Sequence, residues 1–164
     1  MNAHRLLHGV GFLKPALWIA ILCTAIFSAR PAFAGLGEQV SSVQTDQAQM
    51  HASLRVTQAQ AYTVQEIQAP TGIVVREFVS SSGKVFAVAW HGPWPPDMRQ
   101  ILASYFEPYQ KAAQQQASSH AGRRPLRIEQ PGLVVEAGGH MRSFAGKAYI
   151  PDMLPEGVSA EAIQ

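Results

Sequence analysis

Cysteine is almost missing from this sequence, which limits how the protein can be held together. The single cysteine, Cys23, lies in an apolar run near the amino terminus, within a segment predicted below to be removed. The remaining 130 residues, 35–164, contain no thiol, so neither a disulfide framework nor a thiolate metal site is available. Stability has to come from an ordinary apolar core, and a chain of this length buries roughly two thirds of its extended surface, which is sufficient.

Excess positive charge is also lacking once the amino-terminal segment is set aside. Arg5, Lys14 and Arg30 all precede residue 35, and their removal leaves 10 basic residues against 11 acidic ones, a net charge of −1. Nucleic-acid binding and attraction to anionic lipid need a concentrated positive field, so we expect no nucleic-acid partner. The one local basic cluster is predicted to be a solvated loop edge: Arg123, Arg124 and Arg127.

Motifs for metals and catalysis are equally scarce. The three aspartates, Asp46, Asp97 and Asp152, stand far apart, which disfavours a calcium loop. The histidines after residue 34 form no HxH or HExxH pattern, and no serine lies in a GxSxG elbow. The sequence therefore predicts no cofactor, no metal site and no catalytic residue.

What is present begins with a signal peptide at residues 1–34. Arg5 and Lys14 give a basic start, an apolar run follows at Ala16–Ala29, and Ala32-Phe33-Ala34 places small residues where a signal peptidase cleaves. The apolar run is shorter than the ~20 residues that span a bilayer, which favours cleavage over a retained anchor. The sequence thus predicts a protein exported to the periplasm or the extracellular space, without a membrane span after cleavage.

The polar residues 35–60 precede the main domain as an arm. Apolar residues recur within it at helical spacing, which predicts a weak amphipathic helix near Gln39–Ser53. A strand is predicted next at Tyr62–Gln68, and the cluster Ala69-Pro70-Thr71-Gly72 marks a turn before another strand, Ile73–Ser80.

A hairpin around the loop Ser81-Ser82-Gly83 is the central predicted feature, with Gly83 in the left-handed conformation. Both faces of this hairpin are mostly apolar, so we expect it at the centre of a sheet that is covered on both sides. The face with the aromatic residues carries the larger side chains, and the following helix is predicted to pack on it. The predicted register pairs Phe78 with Phe86, Arg76 with Val88, Val74 with Trp90, Val79 with Val85, and Val75 with Ala89.

Prolines then end the second strand of the hairpin, and a helix begins. The segment His91–Pro96 contains three prolines, which cannot donate to a strand ladder. Asp97 is predicted to cap the helix, because its carboxylate accepts hydrogen bonds from free amides of the first turn. The apolar positions of Met98–Phe106 fall on one helical face, and Pro108 is expected to end or kink the helix at Glu107.

The rest of the chain is predicted to be mostly strands. After a second helical piece at Gln110–Gln116, strands at Pro125–Gln130, Leu133–Ala137 and His140–Ile150 are separated by turns, the last of them at Gly138-Gly139.

These elements predict the α+β fold class. The single domain, residues 61–151, is expected to be an antiparallel sheet of about five to six strands with one main amphipathic helix packed on a face, after a cleaved signal peptide. Residues 152–164 are predicted to be a carboxyl-terminal tail.

Two blocks of the chain resemble a known family. These are REFVSSSGKVFAVAWHGPWPPDMRQILASYFEPY (Arg76–Tyr109) and LVVEAGGHMRSFAGKAYIP (Leu133–Pro151). Both are similar to an exported bacterial family known as domain of unknown function 2844, and the likeness covers nearly all of residues 35–164. The resemblance implies one small exported domain and brings no catalytic residue, cofactor or substrate.

The first candidate site combines His91 and His140. Each lies beside a turn glycine at a strand end, so the two meet only if those ends are neighbours. Together with Asp97 or Glu77 they would supply the acid and base of a small extracytoplasmic enzyme. Separate turn or surface positions for the histidines are favoured over such a site.

Charged groups around the last turn give a second candidate. Glu77 is unusual because it is predicted on a central strand, and an ion pair with Arg142 or Arg127 is its favoured interpretation. The segment Gly138-Gly139-His140 would form an anion-binding nest with Arg142 nearby, although a simple turn is favoured there.

Trp94, on the proline-stiffened loop, is the strongest candidate for contact with a ligand or partner. A rigid exposed aromatic residue offers a preorganised surface, which Tyr105 and Tyr109 would extend. The competing interpretation has Trp94 folded back as a lid over the core edge, and it is favoured because large aromatic residues are usually mostly buried.

The sequence therefore favours a non-enzymatic binding or accessory module of the cell envelope, whose partner is a small molecule or an envelope protein. Two alternatives stay open: the small enzyme described above and a self-assembling structural envelope protein.

Overall fold

The computed structural model describes residues 35–40, 53–119 and 125–164, which belong to one compact unit. The predicted signal peptide, most of the predicted helix near Gln39–Ser53, and His51, His120, Arg123 and Arg124 lie outside the described residues. The described strands are β1 (Ser53–Gln58), β2 (Tyr62–Gln68), β3 (Val74–Ser80), β4 (Val85–Gly92), β5 (Leu126–Gln130), β6 (Leu133–His140) and β7 (Ser143–Tyr149). The described α-helices are α1 (Met98–Leu102) and α2 (Phe106–Ser119), which are joined by a 3-10 turn at Ala103–Tyr105.

The seven strands form one antiparallel sheet in the order β1-β2-β3-β4-β7-β6-β5. The predicted antiparallel α+β architecture is confirmed, but the strand count exceeds the predicted five to six. The additional strand is β1, which lies within the predicted polar arm at residues 35–60. β4 lies at the centre of the sheet, and its first six residues are buried, as expected for a hairpin covered on both faces.

The β3–β4 hairpin has the predicted loop and one irregularity. Gly83 takes the left-handed conformation with a φ of 80°, and Val79 pairs with Val85 as predicted. Phe78 pairs with Ala87, so Phe86 is left as the extra residue of a β-bulge.

This bulge shifts the remaining register by one residue. Val75 lies opposite Trp90 rather than Ala89, and Val74 lies opposite His91. The predicted register is therefore wrong beyond the first pair. Because side chains alternate between the two faces, the shift moves Trp90 to the face opposite Phe78.

The helices cover the Trp90 face, so the prediction that they pack on the Phe78 face is wrong. Trp90 and Val75 contact the core formed with α1, while Phe78 and Phe86 belong to a separate cluster. The buried residues of this helix-side core are Leu36, Val75, Val79, Val85, Val88, Trp90, Ile101, Leu102, Ile128, Leu133, Val135, Ala148 and Ile150.

The opposite face is covered in part by residues 151–164. The ring of Phe86 contacts those of Tyr62 and Phe78, with centroids 5.8 and 6.2 Å away. Ile163 packs into this second cluster and is only 1% exposed. The predicted tail is thus part of the core, since the hairpin needs an apolar cover on this face as well.

The helical segment breaks earlier than predicted. Asp97 caps α1 as expected, its Oδ1 accepting a hydrogen bond from the Arg99 amide at 2.9 Å. Ala103 then has a φ of 46° and ends α1, whereas Pro108 lies inside the first turn of α2, where a missing N–H is tolerated. The amide of the fully buried Leu36 donates to the Ile101 carbonyl oxygen at 2.9 Å, so the amino-terminal segment occupies the space at this break.

The last hairpin turns at Met141 and Arg142, not at the predicted Gly138-Gly139. Both glycines lie within β6, where Gly138 pairs with Ala145. Arg142 has a φ of 65°, a conformation that non-glycine residues adopt at a cost. Glycine is needed within β6 at position 139 instead, because a Cβ on Gly139 would come within 2.8 Å of Phe144 Cα.

Candidate functional site

A groove of about 600 Å³ lies on the face opposite the helices, beside the end of the carboxyl-terminal segment. It reaches from Arg76 on β3 across β4, β7 and β6 to Pro125, just before β5. Ile163 and Gln164 form the wall on the side where the segment ends. Among the described residues, the second face is therefore covered at one end of the strands and open at the other.

Small residues form the floor of the groove. Ala89, Ala145 and Gly138 lie on β4, β7 and β6, and the last two are directly paired. Side chains of ordinary size at these positions would fill the space above the sheet. The groove thus exists because three neighbouring central strands carry small residues at these adjacent positions on one face.

A row of charged residues crosses the same floor. Directly paired positions on successive strands are Arg76, Ala89, Lys147, Glu136 and Arg127. The lining of the groove carries three cations and one carboxylate from this row, together with the imidazole of His91.

Each of these cations also contacts an oxygen atom. Arg76 Nε donates to Glu66 Oε2 at 2.7 Å, and its Nη1 donates to the Gln164 carbonyl oxygen at 3.0 Å. Lys147 Nζ donates to the Ala160 carbonyl oxygen at 2.7 Å and lies 3.7 Å from Glu136 Oε2. These bonds tie the carboxyl-terminal segment to the sheet and so define the wall of the groove.

Arg127 is held differently at the far end of the row. Its Nε donates to Glu129 Oε1 at 2.9 Å, and its Nη1 donates to Glu136 Oε1. The hydrogen bond that Arg127 donates to the Glu129 carboxylate raises the pKa of Arg127. This guanidinium is therefore charged and already matched by two carboxylates.

Comparison with known families identifies the chain at this point. A family model described as "Protein of unknown function (DUF2844)" matches residues 32–163. The chain belongs to this family. No curated protein and no solved structure matches the chain. Membership in the DUF2844 family thus covers nearly all of residues 35–164 but carries no residue role with it.

The DUF2844 domain places the two candidate histidines at the same end of the sheet. His91 lies on β4 and lines the groove, whereas His140 ends β6, with β7 between them. Two strand spacings put their backbones about 10 Å apart or more. Within residues 35–40, 53–119 and 125–164, no group of three or more His, Cys, Asp or Glu side chains is placed to hold a metal ion.

The acidic partners proposed for these histidines lie elsewhere. The Asp97 carboxylate caps α1, and Glu77 lies in the row of β3 that faces the helices. Since His91 is on the other face, the structure does not bring Glu77 and His91 together.

Glu77 is buried without the predicted ion pair. It is 1% exposed, and within the described part of the chain no hydrogen-bond partner reaches its Oε2. Gln65, directly opposite on β2, has a buried Oε1 that likewise lacks a partner among the described residues. Burial raises the pKa of Glu77 to about 8, so this carboxyl is protonated at neutral pH.

The predicted partners of Glu77 are positioned too far away. Arg127 bonds to carboxylates on the opposite face, and Arg142 lies exposed in the β6–β7 turn. The predicted ion pair of Glu77 is therefore wrong. The alternative of an anion-binding nest at Gly138-Gly139-His140 also loses its basis, because these residues are part of β6.

Trp94 is exposed over 56% of its surface, so it is not a lid over the core. Tyr105 and Tyr109 do not extend it into one exposed surface, since both pack partly buried against the helix-side core. Burial raises the pKa of Tyr109. Met141, 87% exposed in the β6–β7 turn, is a second large apolar side chain at this end of the sheet.

Several groove residues were not identified from the sequence: Arg76, Ala89, Arg127, Glu136, Ala145 and Lys147. One signal was available for Arg76 and Lys147, because each places a charge within an otherwise apolar central strand. Deciding which face those charges share requires the β3–β4 register, which the bulge alters.

None of the helices in the described residues is both long and apolar enough to cross a membrane.

Proposed function

We propose that this protein is a non-enzymatic binding or accessory module of the cell envelope, and that its ligand occupies the groove. The groove is the observation that carries the proposal. Ligand sites are typically preformed concavities of about 300–1,000 Å³ with an apolar lining and a few fixed polar groups, and the groove matches that description.

The way the charges are held supports binding. Arg76 and Lys147 are fixed by bonds to Glu66 and to the carboxyl-terminal segment, so their positions are set before a ligand arrives. Preorganised polar groups reduce the entropy lost on binding. The signal peptide predicted at residues 1–34 supports an envelope or extracellular location, where small molecules and envelope components are available as ligands.

Native mass spectrometry of the protein purified from its own envelope fraction tests this function. The wild-type protein is expected to carry a bound adduct that Ala145→Phe removes, because the exposed Ala145 lies in the groove floor and a phenyl ring there fills it. Ala117→Phe, at an exposed position on α2, is the matched control and retains the adduct. Identical adducts on both variants, or none on the wild-type protein, would contradict a ligand in the groove.

Self-assembly is a second candidate function, and the position of β1 at the edge of the sheet favours it, since no described residue pairs with its outer side. This edge strand is mostly exposed and includes Val56 at 58% exposure, and open edges pair readily with other chains. Sedimentation velocity tests it: an oligomer that Val56→Lys dissociates supports assembly through β1. A monomer at all concentrations rejects it.

A further inference from the structure

Two buried oxygen atoms belong to directly paired residues at the boundary between β2 and β3. Gln65 and Glu77 are partners in the register, so their side chains leave the sheet on the same face, about 5 Å apart at Cβ. Gln65 Oε1 and Glu77 Oε2 are both buried, and neither has a hydrogen-bond partner among the described residues. An ionised Glu77 only accepts hydrogen bonds, so it offers Gln65 Oε1 no donor.

A proton on Glu77 satisfies both oxygen atoms at once. A protonated carboxyl has one O–H donor, and Gln65 Oε1 is an acceptor on the strand directly opposite. Buried acceptors without a partner are rare in folded proteins, because each has lost its hydrogen bonds to water. The neutral acid is therefore the form of Glu77 that fits this arrangement, in agreement with the raised pKa that burial gives it.

No neighbouring charge takes the place of this proton in the described part of the chain. The other residues around Glu77 on this face of β3 and β4 are apolar: Val75, Val79 and Val88. Titratable groups on residues 35–40, 97–119 and 151–153, which pack over this face, are Glu38, Asp97, Arg99, Tyr105, Glu107, Tyr109, Lys111 and Asp152. Burial is the only cause of the raised pKa of Glu77, so these groups do not set its protonation.

The strands on the outer side of this boundary are lightly held. In the described sheet, β1 and β2 join the other strands only along β3. Ile67 is the one buried residue of these two strands, and β1 is mostly exposed. Segments with few buried apolar contacts open locally at a lower free energy than the whole domain. The β1–β2 hairpin is therefore the part of the sheet that a change at Glu77 would release first.

Opening of this boundary couples to the protonation of Glu77. In the closed protein burial raises the pKa of Glu77 from 4.5 to about 8, whereas water solvates the carboxylate in the open form. The proton therefore stabilises closure fully below pH 4.5, and this stabilisation is lost as the pH rises to about 8. The open form gains about tenfold over the closed form with each pH unit in that interval.

We propose that Glu77 and Gln65 share one proton and form a pH-sensitive switch, in which loss of the proton releases the β1–β2 hairpin from β3. The switch does not depend on the ligand proposed for the groove. Its opening would also break the bond between Glu66 on β2 and Arg76 on β3, a residue of the groove lining.

Amide hydrogen exchange followed by NMR at pH 5, 6 and 7 tests the switch, in the regime where exchange reports the opening equilibrium. After correction for intrinsic exchange, the opening constant of protected β2 amides is expected to rise about tenfold per pH unit in the wild-type protein and to stay constant in Glu77→Gln. The amides of β7, at the centre of the sheet, are expected to open at least tenfold less often. A constant value in the wild-type protein would overturn the shared proton, and equal opening of β2 and β7 would overturn the local release.

Glu66→Gln is the matched control for the carboxylate. Glu66 lies at the same boundary but on the opposite face, where it bonds to Arg76. The variant is expected to shift the opening constant of the β2 amides by a similar factor at every pH and to keep its tenfold slope. Loss of the slope in Glu66→Gln would assign the titration to the pair with Arg76 and reject the role of Glu77.

Gln65→Leu tests whether Gln65 accepts the proton. At pH 5 it is expected to raise the opening constant of the β2 amides about fivefold to a hundredfold, because the carboxyl of Glu77 loses its acceptor. In a Glu77→Leu background the same substitution should raise the opening constant less than twofold, since no proton is left to accept. Gln68→Leu, at an exposed position on the other face of β2, is the control and should change it less than twofold.

Equal effects of Gln65→Leu with and without Glu77 would show that Gln65 acts by packing alone, which would overturn the shared proton. Protection of the β7 amides reports in each variant whether the rest of the sheet still folds.

Discussion

Replacing Glu77 by glutamine should remove most of the pH dependence of stability between about pH 5 and pH 8. The carboxyl of Glu77 is buried on the helix-side face opposite Gln65, and its Oε2 has no partner among the described residues. Burial raises its pKa from 4.5 to about 8. Glu77→Gln retains the shape and hydrogen-bonding character of the protonated acid but cannot ionise.

The sign and size of the effect follow from proton linkage. Between pH 4.5 and about pH 8 the unfolded chain releases the Glu77 proton while the folded protein keeps it, so rising pH favours unfolding. Each pH unit in this interval lowers the free energy of unfolding by about 1.4 kcal/mol, and the full loss is about 5 kcal/mol. The contribution of the neutral carboxyl is complete below pH 4.5 and has been lost above about pH 8.

Urea unfolding of the wild-type protein and of Glu77→Gln at pH 5, 6, 7, 8 and 9 measures this difference. The two proteins are expected to have similar stability at pH 5. The free energy of unfolding of the variant then exceeds that of the wild-type protein by about 1.4 kcal/mol more with each pH unit, until about pH 8. Glu107→Gln, which removes an exposed carboxylate from α2, is the control and keeps the wild-type pH dependence. A constant difference between wild type and Glu77→Gln across this range would refute a buried, neutral Glu77.

Three further substitutions test the packing by the same unfolding measurement. Gly146→Ala places a Cβ 2.7 Å from Trp90 Cε2 and should lower the free energy of unfolding by about 1–3 kcal/mol. Gly138→Ala is the control, because its Cβ meets no atom closer than 3.6 Å and should not lower the free energy of unfolding. Equal effects of the two substitutions would reject the close contact with Trp90. Ile163→Ala should cost about 2–5 kcal/mol because the side chain is buried in the second cluster, and a cost below about 0.5 kcal/mol would mean that the carboxyl-terminal segment does not pack there. Leu36→Ala should cost a similar ~2–5 kcal/mol, and no cost would show that residues near the amino terminus are dispensable for the core.

Local chemistry was enough to predict the elements whose signals lie within a few residues. The loop ending in Gly83 needs a left-handed residue, and Asp97 has the carboxylate that a helix start requires, so both were predicted. The apolar residues on both faces of the β3–β4 hairpin likewise indicated its central place in the sheet.

Features that depend on long-range packing could not be predicted in the same way. The unpaired Phe86 shifts one strand against the other, and no turn residue marks that bulge, so the side of Trp90 and the site of the helices were predicted incorrectly. Ile163 is the single large apolar residue of the segment Ser159–Gln164, and only the need to cover the face with Phe78 explains why it is buried.

The groove combines both difficulties. Its floor exists because Ala89, Ala145 and Gly138 have no large side chains. Small residues do not indicate a groove in the sequence until their strands are aligned. Its charges come from four strands that are distant in sequence, and they share a row only in the observed register.

An amide chemical-shift map of the isotopically labelled protein, recorded as an extract of its own envelope fraction is added, tests the groove most directly. The changes are expected to concentrate at Ala89, Ala145 and Gly138 and to disappear in Ala145→Phe. Changes confined to the exposed end with Trp94 and Met141, and retained in Ala145→Phe, would contradict it.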